Sequence, residues 1–405
     1  MDTREPGGTS LLEEAKQDER RGGESSVGAR QEEIRGGESY REVERPISVT
    51  PPSHRASTRQ AGMWTTENMM IMVTVWVIGS LLSFGVGVMM TLNHAGSDTS
   101  ASNTVSSSAA STGSTTTQVP NATQTSGNQL ATFTVDADGA KHFTLTAQQV
   151  MWEVVKGQRV LAWSINGTVP GPMIRVTAGD QVRITFINHF PTATAIHWHG
   201  LEVPESEDGV PGLGQDPLQP GQTHIYNFTV HDQDVGSHWY HSHYNDMTQE
   251  GNGFYGAFIV EPRPGTIQAQ QAIHADVEYT EFIGMMGDYY TINGKSFPNT
   301  EPMVVKHGQT VHVRLIGADT MMMHPMHLHG HTFSILAEDG HPLAQPIQKD
   351  TLQVAPGETY DITFVAWAAP GSVYPFHCHI LSHLMNPGQS EDQMGGLITL
   401  IEYAK

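Results

Sequence analysis

Only one cysteine, Cys378, stands among 405 residues, so no disulfide can close within the chain. Cysteine usage therefore says nothing about the redox compartment. Positive charge is also scarce, with 21 Lys and Arg against 42 Asp and Glu and a formal net charge of −21. A phosphate backbone asks for a basic face, which removes nucleic acid from the expected partners. Long apolar runs are missing except in one place. Met69 to Leu92 holds 24 residues without a charge. At about 1.5 Å per residue, a helix of that length crosses a hydrocarbon core of about 30 Å. Arg41, Arg45, Arg55 and Arg59 precede this run, and the next Lys or Arg is Lys141. The positive-inside bias then places the N-terminus in the cytoplasm and the C-terminal part outside, in the periplasm or at the cell surface. Residues 69–92 are thus expected to be a transmembrane signal anchor. Residues 1–63, charged and nearly free of aromatics, read as a disordered cytoplasmic tail. Residues 93–129, rich in Ser and Thr, read as a flexible linker.

From Leu130 onward the chain reads as strands separated by turn residues, for example Gln181-Val-Arg-Ile-Thr-Phe-Ile and Thr310-Val-His-Val-Arg-Leu-Ile. The second half repeats the first. Pro220-Gly-Gln-Thr is echoed by Pro356-Gly-Glu-Thr, and a His-x-His follows each proline at the same interval, beginning at His241 and at His377. The reading is all-β, with two Greek-key sandwiches over 130–263 and 264–405.

Histidine is the abundant residue, with 22 copies. The repeat sets four His-x-His pairs in register: His197 with His199, His241 with His243, His327 with His329, and His377 with His379. On a strand the two histidines of a pair share one face. Eight imidazoles can therefore converge where first-domain and second-domain faces meet. Imidazole suits copper, zinc, iron or nickel, so these pairs alone do not name the metal. Cys378 does. It points away from His377 and His379, and with His324 and His383 it forms the His₂Cys set of blue copper sites.

The motifs HWHG (197–200), WYHSH (239–243), HPMHLHGH (324–331) and HCHILSH (377–383) resemble the multicopper oxidases, specifically the two-domain, laccase-like members. The resemblance implies two cupredoxin-like domains and four coppers per chain. Type 1 copper falls to His324, Cys378 and His383, and type 2 copper to His197 and His327. The type 3 pair falls to His199, His241, His243, His329, His377 and His379. It implies a reductant (a phenol, an aromatic amine or a low-valent metal ion) whose single electrons pass through Cys378 and reduce O₂ to water. Asp208 matches a position where relatives carry an acid beside the cluster and is expected to donate protons. Met394, which precedes the last apolar strand, is the expected axial ligand, with Met385 as the alternative. Met321, Met322 and Met323 read as a hydrophobic strand leading into His324. The resemblance also implies a homotrimer with intersubunit clusters. A blue-copper electron carrier would leave eight histidines unexplained. A copper nitrite reductase would need its cysteine in the first domain, where Ser242 stands.

Overall fold

The computed structural model describes residues 118–405. The tail 1–63, the anchor 69–92 and the linker as far as residue 117 lie outside the described residues. Among the described residues, no helix is long and apolar enough to cross a membrane.

Two β-sandwiches follow one another, built on the same plan. In the first, Lys141–Val155 runs parallel to Gln181–Asn188, which pairs antiparallel with Thr223–Thr229. In the second, Val277–Met286 runs parallel to Thr310–Gly317, which pairs antiparallel with Thr359–Val365. The facing sheets match as well. Ile174–Thr177, Tyr255–Glu261, Gly236–Ser242 and Ile196–His199 lie in that order across one sheet. Met303–Val305, Ile398–Tyr403, Val373–Cys378 and His324–Leu328 lie in the same order across its counterpart. The Pro-Gly turns of the repeat sit before equivalent strands, with Gly221 at φ 80° and Gly357 at φ 87°. Left-handed backbone at these corners is what glycine supplies.

Alternation decides which side chains are buried. Along Gln181–Asn188 every second residue is buried, so Val182, Ile184 and Phe186 enter the first core. The second core gathers Val313, Leu315, Met326, Phe376 and Cys378. A third apolar cluster joins the sandwiches, with Trp152, Val169 and Tyr255 from the first against Phe282, Met286 and Ile316 from the second. Tyr255 stacks on Phe282 at 4.9 Å, and Trp152 Nε1 donates to the Gly294 carbonyl at 2.7 Å.

One boundary needs correction. Residues 118–129, read as the end of a flexible linker, lie against the first sandwich. Ala122 N–H donates to the Met151 carbonyl at 3.1 Å, and Asn128 N–H donates to that of Pro170 at 3.1 Å. Asn128 Nδ2 also reaches the Thr280 carbonyl of the second sandwich. Backbone groups that find such partners outweigh a polar composition.

Candidate metal centres

The strands His324–Leu328 and Val373–Cys378 pair with Met326 opposite Cys378 and His327 opposite His377. One face of this pair therefore points Met326 and Cys378 into the core, while the other presents the imidazoles. On the core side, Cys378 Sγ lies 3.8 Å from His324 Nδ1 and 3.5 Å from His383 Nδ1, and the two Nδ1 atoms are 3.1 Å apart. All three side chains are buried. Asp319, also buried, accepts from His324 Nε2 at 3.0 Å and from the amides of Met321 and Met322. Burial works to raise the Asp319 pKa, but these donors outweigh it and hold the carboxyl below its usual range. Tyr290 stacks on His383 at 3.9 Å.

Burial pushes the Cys378 thiol up to about 11, and burial beside His324 presses His383 down to about 4. A neutral His383 cannot stabilise a thiolate in this pocket. A metal ion can, because its charge replaces the thiol proton. Two nitrogens and one sulfur within 4.8 Å of one another are a soft, compact donor set that suits copper.

The first-domain histidines form a second group. His199 Nδ1 lies 3.2 Å from His241 Nε2, and the ring of His197 is 5.4 Å from that of His241 and 5.5 Å from that of His243. His197, His199 and His241 offer donor atoms within 4.8 Å of one another. Burial, then the neighbouring imidazoles, presses His199 down to about 3. Rings that refuse protons keep the lone pairs that metals bind. Asp208 lies beside this group, with its carbonyl 2.8 Å and its carboxylate 3.3 Å from His197 Nδ1.

The second-domain histidines form a third group. His329 Nε2 lies 2.9 Å from His377 Nε2, and the His327 ring is 4.7 Å from that of His329 and 5.9 Å from those of His377 and His379. His327 Nδ1 meets the Asp350 carbonyl and the Thr351 hydroxyl, which turns Nε2 outward. Among the described residues, no hydrogen bond or ring contact joins this group to the first-domain one. His199 instead faces the Gly357 turn of the second domain, where an added Cβ would stand 3.3 Å from its ring.

Two expectations change. Met394 is 58% exposed and is not brought to the buried Cys378 trio. Asn386 pins the loop at one end through Ser296 and Phe297, while Gly395 and Leu397 bond back to Leu384 and His383 at the other. The residues between are thrown outward. Met385 is half-buried next to that anchor. Met321, Met322 and Met323 are exposed at 68, 39 and 48%, so they line the surface above His324 rather than a hydrophobic strand, while Met326 just beyond it is in the core. Ser242, buried, spends its hydroxyl on the Tyr244 carbonyl and Gln249. Sequence reasoning missed Asp319, Tyr290 and Glu250, whose carboxylate meets His241 Nδ1 at 2.8 Å. No spacing pattern marks any of the three.

Two models of the family described as multicopper oxidase match the chain, over residues 146–265 and 267–387. The chain belongs to the multicopper oxidase family. It is a two-domain, laccase-like member. Laccase-20 of Oryza sativa subsp. japonica is 31% identical over 269 residues, covering 59% of this chain and 45% of that protein. Copper resistance protein A of Pseudomonas syringae pv. tomato is 26% identical, covering 51% of this chain and 43% of that protein. The chain thus spans under half the length of these curated relatives. The crystal structure of a blue copper oxidase from Nitrosomonas europaea superposes with a TM-score of 0.59 at 33% identity, covering 65% of this chain and 85% of that one.

Proposed function

We propose that this protein is a copper-dependent oxidase that takes single electrons from a reductant and reduces O₂ to water. The observation that carries the reading is the back-to-back arrangement on one strand, with the buried His324–Cys378–His383 trio on one side and the outward imidazoles of His377 and His379 on the other. When bound, copper supplies one-electron chemistry at the trio (type 1) and O₂ binding and reduction at the histidine groups (type 2 and a type 3 pair). The chain holds these sites through His324, Cys378 and His383, and through His197, His199, His241, His243, His327, His329, His377 and His379. Cys378 is joined to both flanking histidines by a few covalent bonds, so its backbone is the shortest path between the sites. Asp208, held at His197, is the proposed proton source for the four protons that one O₂ requires. Asp319 fixes His324 in a single orientation.

Because no hydrogen bond or ring contact joins the two histidine groups among the described residues, we propose that each cluster forms between chains. The first-domain face of one subunit receives the second-domain face of the next, in a closed homotrimeric ring. The uncharged run 69–92 is proposed to anchor the assembly, with the sandwiches outside the cytoplasm. Phenols and aromatic amines remain suitable reductants. The exposed thioethers of Met321, Met322 and Met323 favour cuprous ion as a further one, since soft ligands select it. Metal analysis of the full chain should give four coppers per subunit, oxygen uptake with a reductant, and a thiolate-to-copper absorption band that Cys378→Ser abolishes. One copper per chain without oxygen uptake would convert the reading to an electron carrier.

A further inference from the structure

His241 is the most closely framed imidazole of the first-domain group. Trp239 stacks on its ring at 4.2 Å between centroids and 21° between planes. Its Nε2 points toward Nδ1 of His199, into the donor group. At the back of the ring, Nδ1 meets the Ser242 carbonyl at 2.7 Å and Glu250 Oε2 at 2.8 Å. Glu250 is 8% exposed, and among the described residues its ion-pair partner is His241. A carboxylate taken that far out of water costs free energy unless a donor compensates it. His241 Nδ1, hydrogen-bonded to the Ser242 carbonyl, stands at ion-pair distance from it.

The chain goes to some length to put Glu250 there. A helical turn, Asp246–Gln249, leads directly into the 3-10 turn Glu250–Asn252. Gln249 is fully buried and ties this corner to the sheet. Its Nε2 donates to the Ala193 carbonyl at 2.9 Å, and its Oε1 accepts from the hydroxyls of Thr194 at 2.6 Å and Ser242 at 2.9 Å. Ser242 is the residue between His241 and His243, so one network fixes the histidine strand and the carboxylate together. In the second-domain group, His377 Nδ1 meets the Cys378 carbonyl and His327 Nδ1 meets a carbonyl and a hydroxyl, and among the described residues neither ring pairs with a carboxylate.

We propose that Glu250 is a positioning residue for His241: its carboxylate, 2.8 Å from Nδ1 and beside the Ser242 carbonyl that Nδ1 bonds, strengthens the hold on the Nδ1 proton and so keeps the Nε2 lone pair directed at the ion the first-domain histidines hold. The inference rests on the reading of those histidines as copper ligands and adds the group that orients one of them. A carboxylate behind a ligating imidazole fixes its tautomer and raises its basicity, and losing one weakens metal binding by about 10- to 100-fold.

The test uses the full chain, titrated with copper against a competing chelator, with Glu250→Ala and Glu250→Gln beside the unsubstituted protein. Glu250→Ala should lower copper affinity at the histidine groups by about 10- to 100-fold. The thiolate band of the Cys378 trio should be unchanged, because that site lies in the other sandwich. Nitrogen-15 spectra should show the Nδ1-protonated tautomer of His241 more fully populated in the unsubstituted protein than in Glu250→Ala, where the Ser242 carbonyl alone holds that proton. Glu250→Gln keeps the size and an acceptor oxygen but not the charge, so its affinity should fall between the two. Should Glu250→Ala fail to fold, the isosteric Glu250→Gln decides alone. Unsubstituted affinity in Glu250→Gln, or in a folded Glu250→Ala, overturns the proposal while leaving the oxidase reading intact. An unsubstituted chain with the thiolate band but no histidine-held copper overturns both.

Discussion

An intersubunit cluster makes a quantitative prediction about mixed chains. Let one variant carry His197→Ala and His199→Ala, which removes the first-domain face, and let the other carry His377→Ala and His379→Ala, which removes the second. Neither can build a complete cluster alone, whatever the assembly. In the ring, each cluster needs a first-domain face from one subunit and a second-domain face from its neighbour. In an equal, randomly assembled mixture each face is intact half of the time, so about one quarter of the interfaces are complete. Those interfaces also contain an intact Cys378 trio, because the first variant supplies the second domain and its type 1 site. Co-expressed or co-refolded chains should therefore consume oxygen at about a quarter of the unsubstituted rate per subunit. The structural ground is that, among the described residues, no hydrogen bond or ring contact joins the two histidine groups and that His199 faces the Gly357 turn instead. The assay is oxygen uptake against the two variants measured separately, with subunit mixing verified by differential tagging. Activity of the mixed assemblies no greater than the sum of the separate variants would refute the reasoning and place each cluster inside a single chain.

Three further perturbations address proton supply, stability and substrate. Asp208→Asn should slow oxygen turnover by roughly 10²-fold while anaerobic bleaching of the Cys378 band by reductant keeps its rate. Equal slowing of both steps would show a structural effect. Glu281, buried and close to Glu301, is pushed up to about 8 from a usual 4.5. Between those values the unfolded chain sheds a proton that the folded chain keeps, so stability falls as pH rises through that window. Glu281→Gln should therefore melt like the unsubstituted protein below about pH 4.5 and be more stable above about pH 8, by up to roughly 5 kcal/mol. A pH-independent difference would contradict the assignment. Replacing Met321, Met322 and Met323 by leucine should raise KM for cuprous ion at least about tenfold and leave phenol oxidation unchanged. Unaltered cuprous kinetics would remove these thioethers from substrate capture.

The ligand pattern was legible because strands impose a period of two. His327 and His377 face each other across the pair while Met326 and Cys378 point the other way, and both facts follow from register once the strands are recognised. The equivalence of the two sandwiches was equally visible in the Pro-Gly turns. Long-range packing was not. Met394 lies in a loop whose outward course depends on Asn386 reaching Ser296, some ninety residues earlier in the chain. Residues 118–129 look like a linker by composition, yet Ala122 finds a backbone partner in the strand Lys141–Val155 and Asn128 finds one at Pro170. Glu250 and Asp319 are ordinary acids in the sequence and become neighbours of His241 and His324 only when a buried glutamine or a tight turn delivers them.

The same packing explains why the two histidine groups stay apart. The sandwiches meet through Trp152, Val169 and Tyr255 on one side and Phe282, Met286 and Ile316 on the other. This seam is buried at its centre, with Trp152, Tyr255 and Phe282 each at 0% exposure. Flanking it, Ser237 donates to Asp361 at 2.8 Å, and Arg175 pairs with Glu278 at 2.7 Å. An interface this buried and this polar at its margin resists rotation, so one sandwich cannot swing its imidazoles onto those of the other without exposing three aromatic rings. His379 is exposed and His197, His199 and His329 are half-buried, which is the exposure the proposed intersubunit cluster requires of them.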